Sequence, residues 1–507
     1  MRTVTGPTDH VVVVGAGLSG LAAALHLLGS GRQVTVVERE AHPGGRAGRL
    51  DLDGFHVDTG PTVLTMPELL DEALAAVGES VSDRLDLVPL SPAYRASFPD
   101  GSTLDVHTDA AAMAEEVARV CGPREATGYL RLRGWLRELY ELEMARFIDV
   151  NFDSPFALLS PQLARLAAVG GFRRLSSAVG GFVRDERLRR VFSFQSLYAG
   201  VPPHRALAAY AVIAYMDTVA GVYFPRGGMR VLGGALADAA AKAGGRLRYG
   251  QAVTRLERRG DRVSAVLLAD GDRIPCDAVV LTVDLPVAYR LLGRTPWRPV
   301  PLRFSPSAVV LHAGTDRTWP RLDHHTILFG AAWRRTFTEI TRAGTPMSDP
   351  SLLVTQPTAT DSGLAPPGRH LFSVLAPCPN LRTGRIDWAS FGPRYRDHLA
   401  ATLQARGMPG FDCSVLVERL VTPEDWSRQG HAFGSPFATA HTFAQTGPFR
   451  PRNLVSGTAN AVLAGCGTTP GVGLPTVLVS GKLAAARITG DVPVSSRTTV
   501  TTSGRRR

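Results

Sequence analysis

Apolar and polar positions are patterned most clearly at the N-terminus. His10 to Val14 is an apolar run closed by Gly15, Leu18 to Leu28 carries its apolar residues at helical spacing, and Gln33 to Glu38 is a second short run. The order strand, turn, helix, strand opens a doubly wound α/β unit. Val11 to Gly31 has 21 residues without Asp, Glu, Lys or Arg, the length of a membrane span. Its glycines decide otherwise: Gly15, Gly17 and Gly20 place a tight turn inside it, and Gly29 and Gly31 end the helix after about three turns.

From Leu69 to about Gly221 the pattern is helical. Thr108 or Asp109 is positioned to cap a helix that Gly122 ends, and Tyr129 to Phe147 is a second amphipathic stretch. After Gly227-Gly228-Met229 comes an Ala-rich helix ending at Gly244-Gly245. Strand-like runs follow at Arg246 to Tyr249, Val253 to Arg258, Val263 to Leu268 and Ala278 to Val283, with Asp270-Gly271 as a hairpin turn. The wholly apolar Val279 to Val283 reads as a strand buried on both faces, so the α/β unit resumes here. Residues 295–449 are mixed strands with many prolines, and a last helix is expected from Thr476 to about Ile488.

A chain of 507 residues exceeds one hydrophobic core, and 44% hydrophobic with 20% charged residues excludes a disordered chain. The expected division is a discontinuous Rossmann-type unit from residues 1–75, 222–292 and 450–492. An α+β substrate unit is inserted at 76–221 and 293–449, and residues 493–507 read as a disordered basic tail. The net charge is +11, and four of those charges sit in that tail. Such a balance suits nucleic acid or an anionic membrane, but no nucleic-acid recognition module accompanies it, so nucleic acid is set aside. The five cysteines lie 35 or more residues apart, which leaves no disulfide framework or zinc spacing, and no export signal precedes Val11; a reducing cytoplasm is expected.

The chemistry begins at Gly15-Ala16-Gly17-Leu18-Ser19-Gly20, a G-x-G-x-x-G at a strand end, with Glu38 closing the next strand. Gly15 permits the turn, Gly17 lets backbone approach a pyrophosphate, Gly20 lets helix and strand pack, and Glu38 can accept from both ribose hydroxyls, which disfavours NADP. A dinucleotide is implied, but this motif does not distinguish FAD from NAD.

Pro43-Gly44-Gly45-Arg46 and Asp58-Thr59-Gly60-Pro61 extend the motif, and with Glu38 they resemble the N-terminal signature of the FAD-dependent amine-oxidase and phytoene-desaturase superfamily. The resemblance continues through Tyr223-Phe224-Pro225-Arg226-Gly227-Gly228-Met229, Leu322 to Leu328, Pro357 to Asp361, Ala365 to Gly368 and Thr469-Pro470-Gly471-Val472-Gly473-Leu474-Pro475. Joint occurrence in this order is similar to the bacterial phytoene desaturase family. The resemblance implies FAD as cofactor, held by Gly15, Gly17, Gly20, Glu38, Gly44, Gly45, Arg46, Gly60, Gly465, Gly467, Gly471, Val472 and Gly473, with Val253 at the adenine. It also implies an apolar carotenoid substrate, a quinone or oxygen as electron acceptor, and a cytoplasmic protein peripherally associated with membrane. Ser19 stands where many members have Gly, and Thr469 where many have His.

No catalytic residue is assigned from sequence. His324 and His325 are adjacent on a strand, so they point to opposite faces and cannot share one metal ion; His325 is a candidate acid or base facing the substrate. Leu163 to Arg190, with seven arginines, and the apolar run Ala206 to Met216 are candidates for a membrane-facing surface. The rival readings are a sister carotenoid desaturase or ketolase, an amine or protoporphyrinogen oxidase, and a flavin-free lipid escort. The absence of Trp and Tyr from Leu454 to Arg507 argues against an amine cage, and retention of Gly44-Gly45-Arg46 argues against the escort.

Overall fold

The computed structural model describes residues 1–154, 156 and 160–491, and the expected basic tail lies outside them. The valines of β1 (His10–Val14) organise a five-stranded parallel sheet. β1 is central, flanked by β2 (Gln33–Val37) and Ala278–Leu281; Arg246–Arg248 and Ala461–Leu463 take the edges. Val11 and Val13 pack under α1 (Leu18–Gly29) and the helices Val231–Lys242 and Leu474–Thr489. Val12 and Val14 point to the other face, against an antiparallel three-stranded sheet (Val253–Arg259, Arg262–Leu268, Arg273–Pro275) and the helix Leu285–Leu291. A strand covered on both faces is apolar at every position, which is why His10 to Val14 shows no alternation.

The second large sheet has seven strands, in the order Val415–Val421, Ser307–Thr315, His370–Cys378, Leu352–Thr355, His325–Leu328, Tyr94–Ser97 and Thr103–Val106. All neighbours are antiparallel except His325–Leu328 beside Tyr94–Ser97. This corrects the helical reading of 69–221, which contains the strands Leu87–Pro89, Tyr94–Ser97 and Thr103–Val106. Tyr94 and Ala96 are buried while Arg95 and Ser97 are half-buried. Four alternating residues are too few to outweigh helical periodicity on either side. The helix beyond is as expected: Asp109 accepts from the Ala111 and Ala112 amides at 3.0 and 2.9 Å, and Gly122 ends it at φ +95°.

The two inserted segments therefore build one sheet together. One face packs Leu311, Phe372 and Val374 on the helix Trp388–Ala405. On the other side, Tyr94, Ile327 and Phe329 join the core that also holds Phe194, Ala211 and the helices under the parallel sheet. This shared core joins the second sheet to the helices that cover the first.

Candidate functional site

The turn after β1 shows which glycines serve the protein and which serve something else. Gly15 has φ +108°, and its N–H donates to Val37 O at 2.8 Å. A Cβ on Gly20 would lie 2.1 Å from Gly15 O, so Gly20 is required for packing. A Cβ on Gly17 would meet nothing nearer than Gly45 Cα, at 3.8 Å. Space is left in front of Gly17, beside the start of α1, which has no side-chain cap. That is the arrangement a pyrophosphate requires. Glu38 is buried; its Oε2 accepts from Ala16 N–H at 2.7 Å and its Oε1 from Glu40 N–H at 3.0 Å. A carboxylate has about four acceptor sites, so capacity remains for a ribose.

The Pro43 to Arg46 turn folds onto this loop. Gly44 N–H donates to Ala16 O at 2.9 Å, and a Cβ on Gly45 would lie 2.9 Å from Gly17 Cα, with Gly45 at φ +59°. A Cβ on Gly60 would lie 1.7 Å from Arg46 O, so the third motif lies flat against the second. Arg46 Nη2 donates to His431 Nδ1 at 3.2 Å, while the buried Arg46 Nε has no partner. Burial and the nearby Arg46 and Arg39 lower the His431 pKa to about 2, so it accepts as a neutral ring. Asp58 joins two distant motifs: its carboxylate accepts from Met229 N–H at 2.8 Å and Arg230 N–H at 3.0 Å, and burial raises its pKa to about 6. Val253 opens the three-stranded sheet; two residues earlier, Gln251 N–H donates to Glu38 O at 2.8 Å, which brings the start of that strand beside Glu38.

The C-terminal block is held differently. Gly465, at φ +104°, lies beside Ser19, and its N–H donates to Ser480 Oγ at 3.0 Å; Ser480 in turn donates to Thr469 O at 2.7 Å. Gly467 packs on Leu285, where a Cβ would come within 2.9 Å. Gly471 is backed by His441, whose Cε1 lies 2.1 Å from the Cβ a side chain would add. Val472 N–H donates to His441 Nε2 at 3.4 Å, and burial beside Arg450 holds that ring neutral, far below its usual pKa. The helix Leu474–Thr489 then starts from Gly473 without a side-chain cap, leaving its first amides free toward the turn. Lys482 ties this helix to Glu72 at 2.9 Å and Asp149 at 2.5 Å.

Sequence reasoning missed His441, Arg450, Asp284, which accepts the Ala432 amide at 2.8 Å, and Thr282, whose Oγ1 donates to Val14 O at 2.9 Å under the glycine turn. None lies in a glycine motif, and one arginine among 54 carries no signal. The expected alternation of His324 and His325 does not hold, because the strand starts at His325 and the two rings stand 4.5 Å apart; His324 Nδ1 meets Thr360 Oγ1 at 2.6 Å, while His325 Nδ1 meets Thr355 Oγ1 at 3.0 Å. Burial lowers the first pKa to about 3 and the second far below its usual value. Among the described residues, no group of three or more His, Cys, Asp or Glu stands together as a metal site. Thr355 also bonds Thr62 at 3.2 Å, so His325 connects to the segment after Gly60.

The run 206–216 is core: Ala206, Ala208, Ala211, Val212, Ala214 and Met216 are buried. Of the arginines before it, Arg165 pairs with Glu138, Arg187 with Asp185, and Arg190 donates to Gly330 O. Phe172, within that arginine segment, is exposed, and further exposed apolar residues include Trp297, Val300, Phe443 and Phe449. No helix among the described residues is long and apolar enough to cross a membrane.

The family described as flavin containing amine oxidoreductase matches residues 18–489. A phytoene dehydrogenase of Streptomyces griseus is 71% identical over 97% of this chain and 97% of its own. A zeta-carotene-forming phytoene desaturase of Myxococcus xanthus is 37% identical over 94% and 93%. A putrescine oxidase altered at its cofactor site shares the fold, with TM-score 0.60 at 17% identity over 95% of this chain and 99% of its own. The open face of Gly17, the spare acceptors of Glu38, the unpartnered Arg46 Nε and the two uncapped helix starts fit FAD. The chain thus belongs to the bacterial phytoene desaturase family of FAD-dependent oxidoreductases.

Proposed function

We propose that this enzyme desaturates phytoene toward lycopene-type carotenoids, with FAD as the two-electron acceptor. The supporting observation is an aromatic ladder that starts beside the Thr62–Thr355–His325 contact. Tyr94 lies 5.6 Å from His325 and 5.9 Å from Phe194; Phe194 lies 6.4 Å from Phe329; Phe329 lies 5.5 Å from Trp333, and Trp333 lies 4.7 Å from Phe337. The ladder is largely buried in the core and the histidines at its start are held neutral, so this part of the substrate unit is apolar and without a positive imidazole, which suits a long hydrocarbon whose binding comes from apolar burial at about 25 cal/mol per Å².

In this reading the turn shaped by Gly15 and Gly20 and open at Gly17, together with Gly44, Gly45 and Arg46, receives the pyrophosphate, Glu38 the ribose and Val253 the adenine. Gly60, Gly465, Gly467, Gly471, Val472 and Gly473 surround the flavin. When bound, FAD supplies the acceptor for hydride from a saturated allylic carbon. The protein aligns that carbon and excludes water, and the neighbouring proton passes to a base or water. We retain the division into a cofactor unit (1–75, 222–292, 450–492) and a substrate unit (76–221, 293–449), because strands from both insertions pair in one sheet. Trp297, Val300, Phe443 and Phe449 form the membrane-facing surface; Phe443 and Phe449 rings lie 6.0 Å apart, and Arg298 donates to Phe449 O at 2.5 Å. A quinone or oxygen would take the electrons back from the cofactor that these residues would hold.

The test is incubation of FAD-loaded protein with phytoene in liposomes and a quinone, followed by chromatography, with zeta-carotene supplied in parallel. Coloured products from phytoene are expected. Unchanged phytoene beside converted zeta-carotene would move the assignment to a later desaturase, the sister activity on this scaffold.

A further inference from the structure

Arg450 is 1% exposed, and among the described residues it makes no ion pair with a carboxylate. Its guanidinium is spent on backbone carbonyls instead. Nε donates to Thr468 O at 2.8 Å, Nη2 to Cys466 O at 2.5 Å and Thr439 O at 3.3 Å, and Nη1 to Gln445 O at 3.4 Å. Two of those carbonyls belong to the 465–473 loop. Arg450 Cζ also lies 3.4 Å from the Cβ position of Gly471, so the cation sits directly against this turn, on the side where His441 accepts the Val472 amide. Burial lowers its pKa only to about 10, and it remains charged at neutral pH.

A buried cation without a counterion is costly, because several hydrogen-bonded dipoles replace only part of its hydration. Four carbonyls hold it in place, and they leave its net charge uncompensated. His441, the other group behind Gly471, is neutral, and the start of the helix Leu474–Thr489 adds a positive dipole end on the same side. The field at this turn is therefore positive from two sources, Arg450 and the helix start, and the neutral His441 cancels neither.

We propose that Arg450 is a positioning and potential-setting residue for the flavin, holding the 465–473 loop while its fixed charge favours the reduced, negatively charged cofactor. This rests on the placement of the flavin at Gly471–Gly473 in the reading above. The chemistry motivates it: a saturated carbon of a hydrocarbon, even an allylic one, is a poor hydride donor, so the acceptor must be made more oxidising by its surroundings. Electrostatic attraction in a partly buried setting makes a unit charge worth about two powers of ten in the reduced-to-oxidised equilibrium.

The experiment is a dye-equilibrated reduction titration of the FAD-loaded full chain, wild type against R450K and R450M, which needs no carotenoid. R450M is expected to disfavour reduced FAD about 100-fold, a fall of about 60 mV at roughly 30 mV per tenfold for a two-electron couple. It should also weaken the covalent sulfite adduct, which places negative charge on the ring. R450K keeps the charge but loses the planar fork, so its potential should stay within about 10 mV of wild type while FAD dissociates more readily. An FAD-loaded R450M with unchanged potential and sulfite affinity would reduce Arg450 to a structural role. If R450M does not retain FAD, R450K decides alone: a potential that falls as far as charge loss predicts overturns the proposal. Failure to convert phytoene would leave these readings intact, so the two hypotheses fail separately.

Discussion

The two halves of the cofactor cradle are built by opposite strategies. The N-terminal half, Gly15 to Gly60, is held by backbone meeting backbone: Gly15 on Val37, Gly44 on Ala16, Gly60 against Arg46, with Glu38 as the principal side-chain clamp. The C-terminal half, Gly465 to Gly473, is held from behind by side chains, those of Ser480, His441 and Arg450. Glycines that touch each other need only correct spacing along the chain. Glycines propped by distant side chains need the whole fold first.

The contrast can be tested by breaking each half in turn. The largest effect is expected for Glu38→Arg, which removes the acceptor for two amides and puts a cation at the ribose. The protein should retain no FAD after desalting, read by flavin absorbance, and full occupancy would sink the assignment of the first motif. Next is Lys482→Met, which strands Glu72 and Asp149 beside the C-terminal helix. A loss of about 3–5 kcal/mol is expected in denaturant unfolding, and a change under about 1 kcal/mol would show the C-terminal half does not depend on that anchor.

Two alanines then separate packing from ligand approach. Gly20→Ala drives its Cβ into Gly15 O and should cost about 1–3 kcal/mol without any cofactor. Gly17→Ala has room in the protein and should fold normally, yet lose FAD affinity about tenfold or more. Equal stability losses in the FAD-free forms would erase the distinction. The smallest effect concerns Asp58. Its folded pKa is raised by burial, so its protonated form is favoured in the native state, and the stability this contributes at low pH is lost as pH rises from about 4 to about 6. Wild type should fall by about 1–2 kcal/mol relative to Asp58→Asn across that window, measured by thermal unfolding of both proteins at each pH. A constant difference would show that Asp58 does not titrate there.

Legibility in the sequence follows the same division. β1, α1 and β2 lie within a residue or two of where periodicity puts them, because strand, turn and helix are decided by neighbours. The strand Tyr94–Ser97 is hidden in a stretch of helical periodicity, because it is four residues long, its local partner Thr103–Val106 is equally short, and its other partner His325–Leu328 is more than 200 residues away. The run 206–216 looked like a membrane surface because composition cannot tell a core helix from an exposed one. The exposed aromatics at Trp297 and Phe443 are isolated in the sequence and become a patch only where Arg298 meets the Phe443–Phe449 segment.

By itself the sequence determined the glycine turn, the carboxylate that ends the next strand, the family and the kind of cofactor, because backbone geometry with no Cβ is a local requirement that spacing records. Tertiary structure alone decided that Asp58 holds Met229, that His441 fills the turn beside Gly471, and that Arg450 stands behind it without a carboxylate. Each of these depends on burial and on a partner remote in the chain, and neither property is written in the residues on either side.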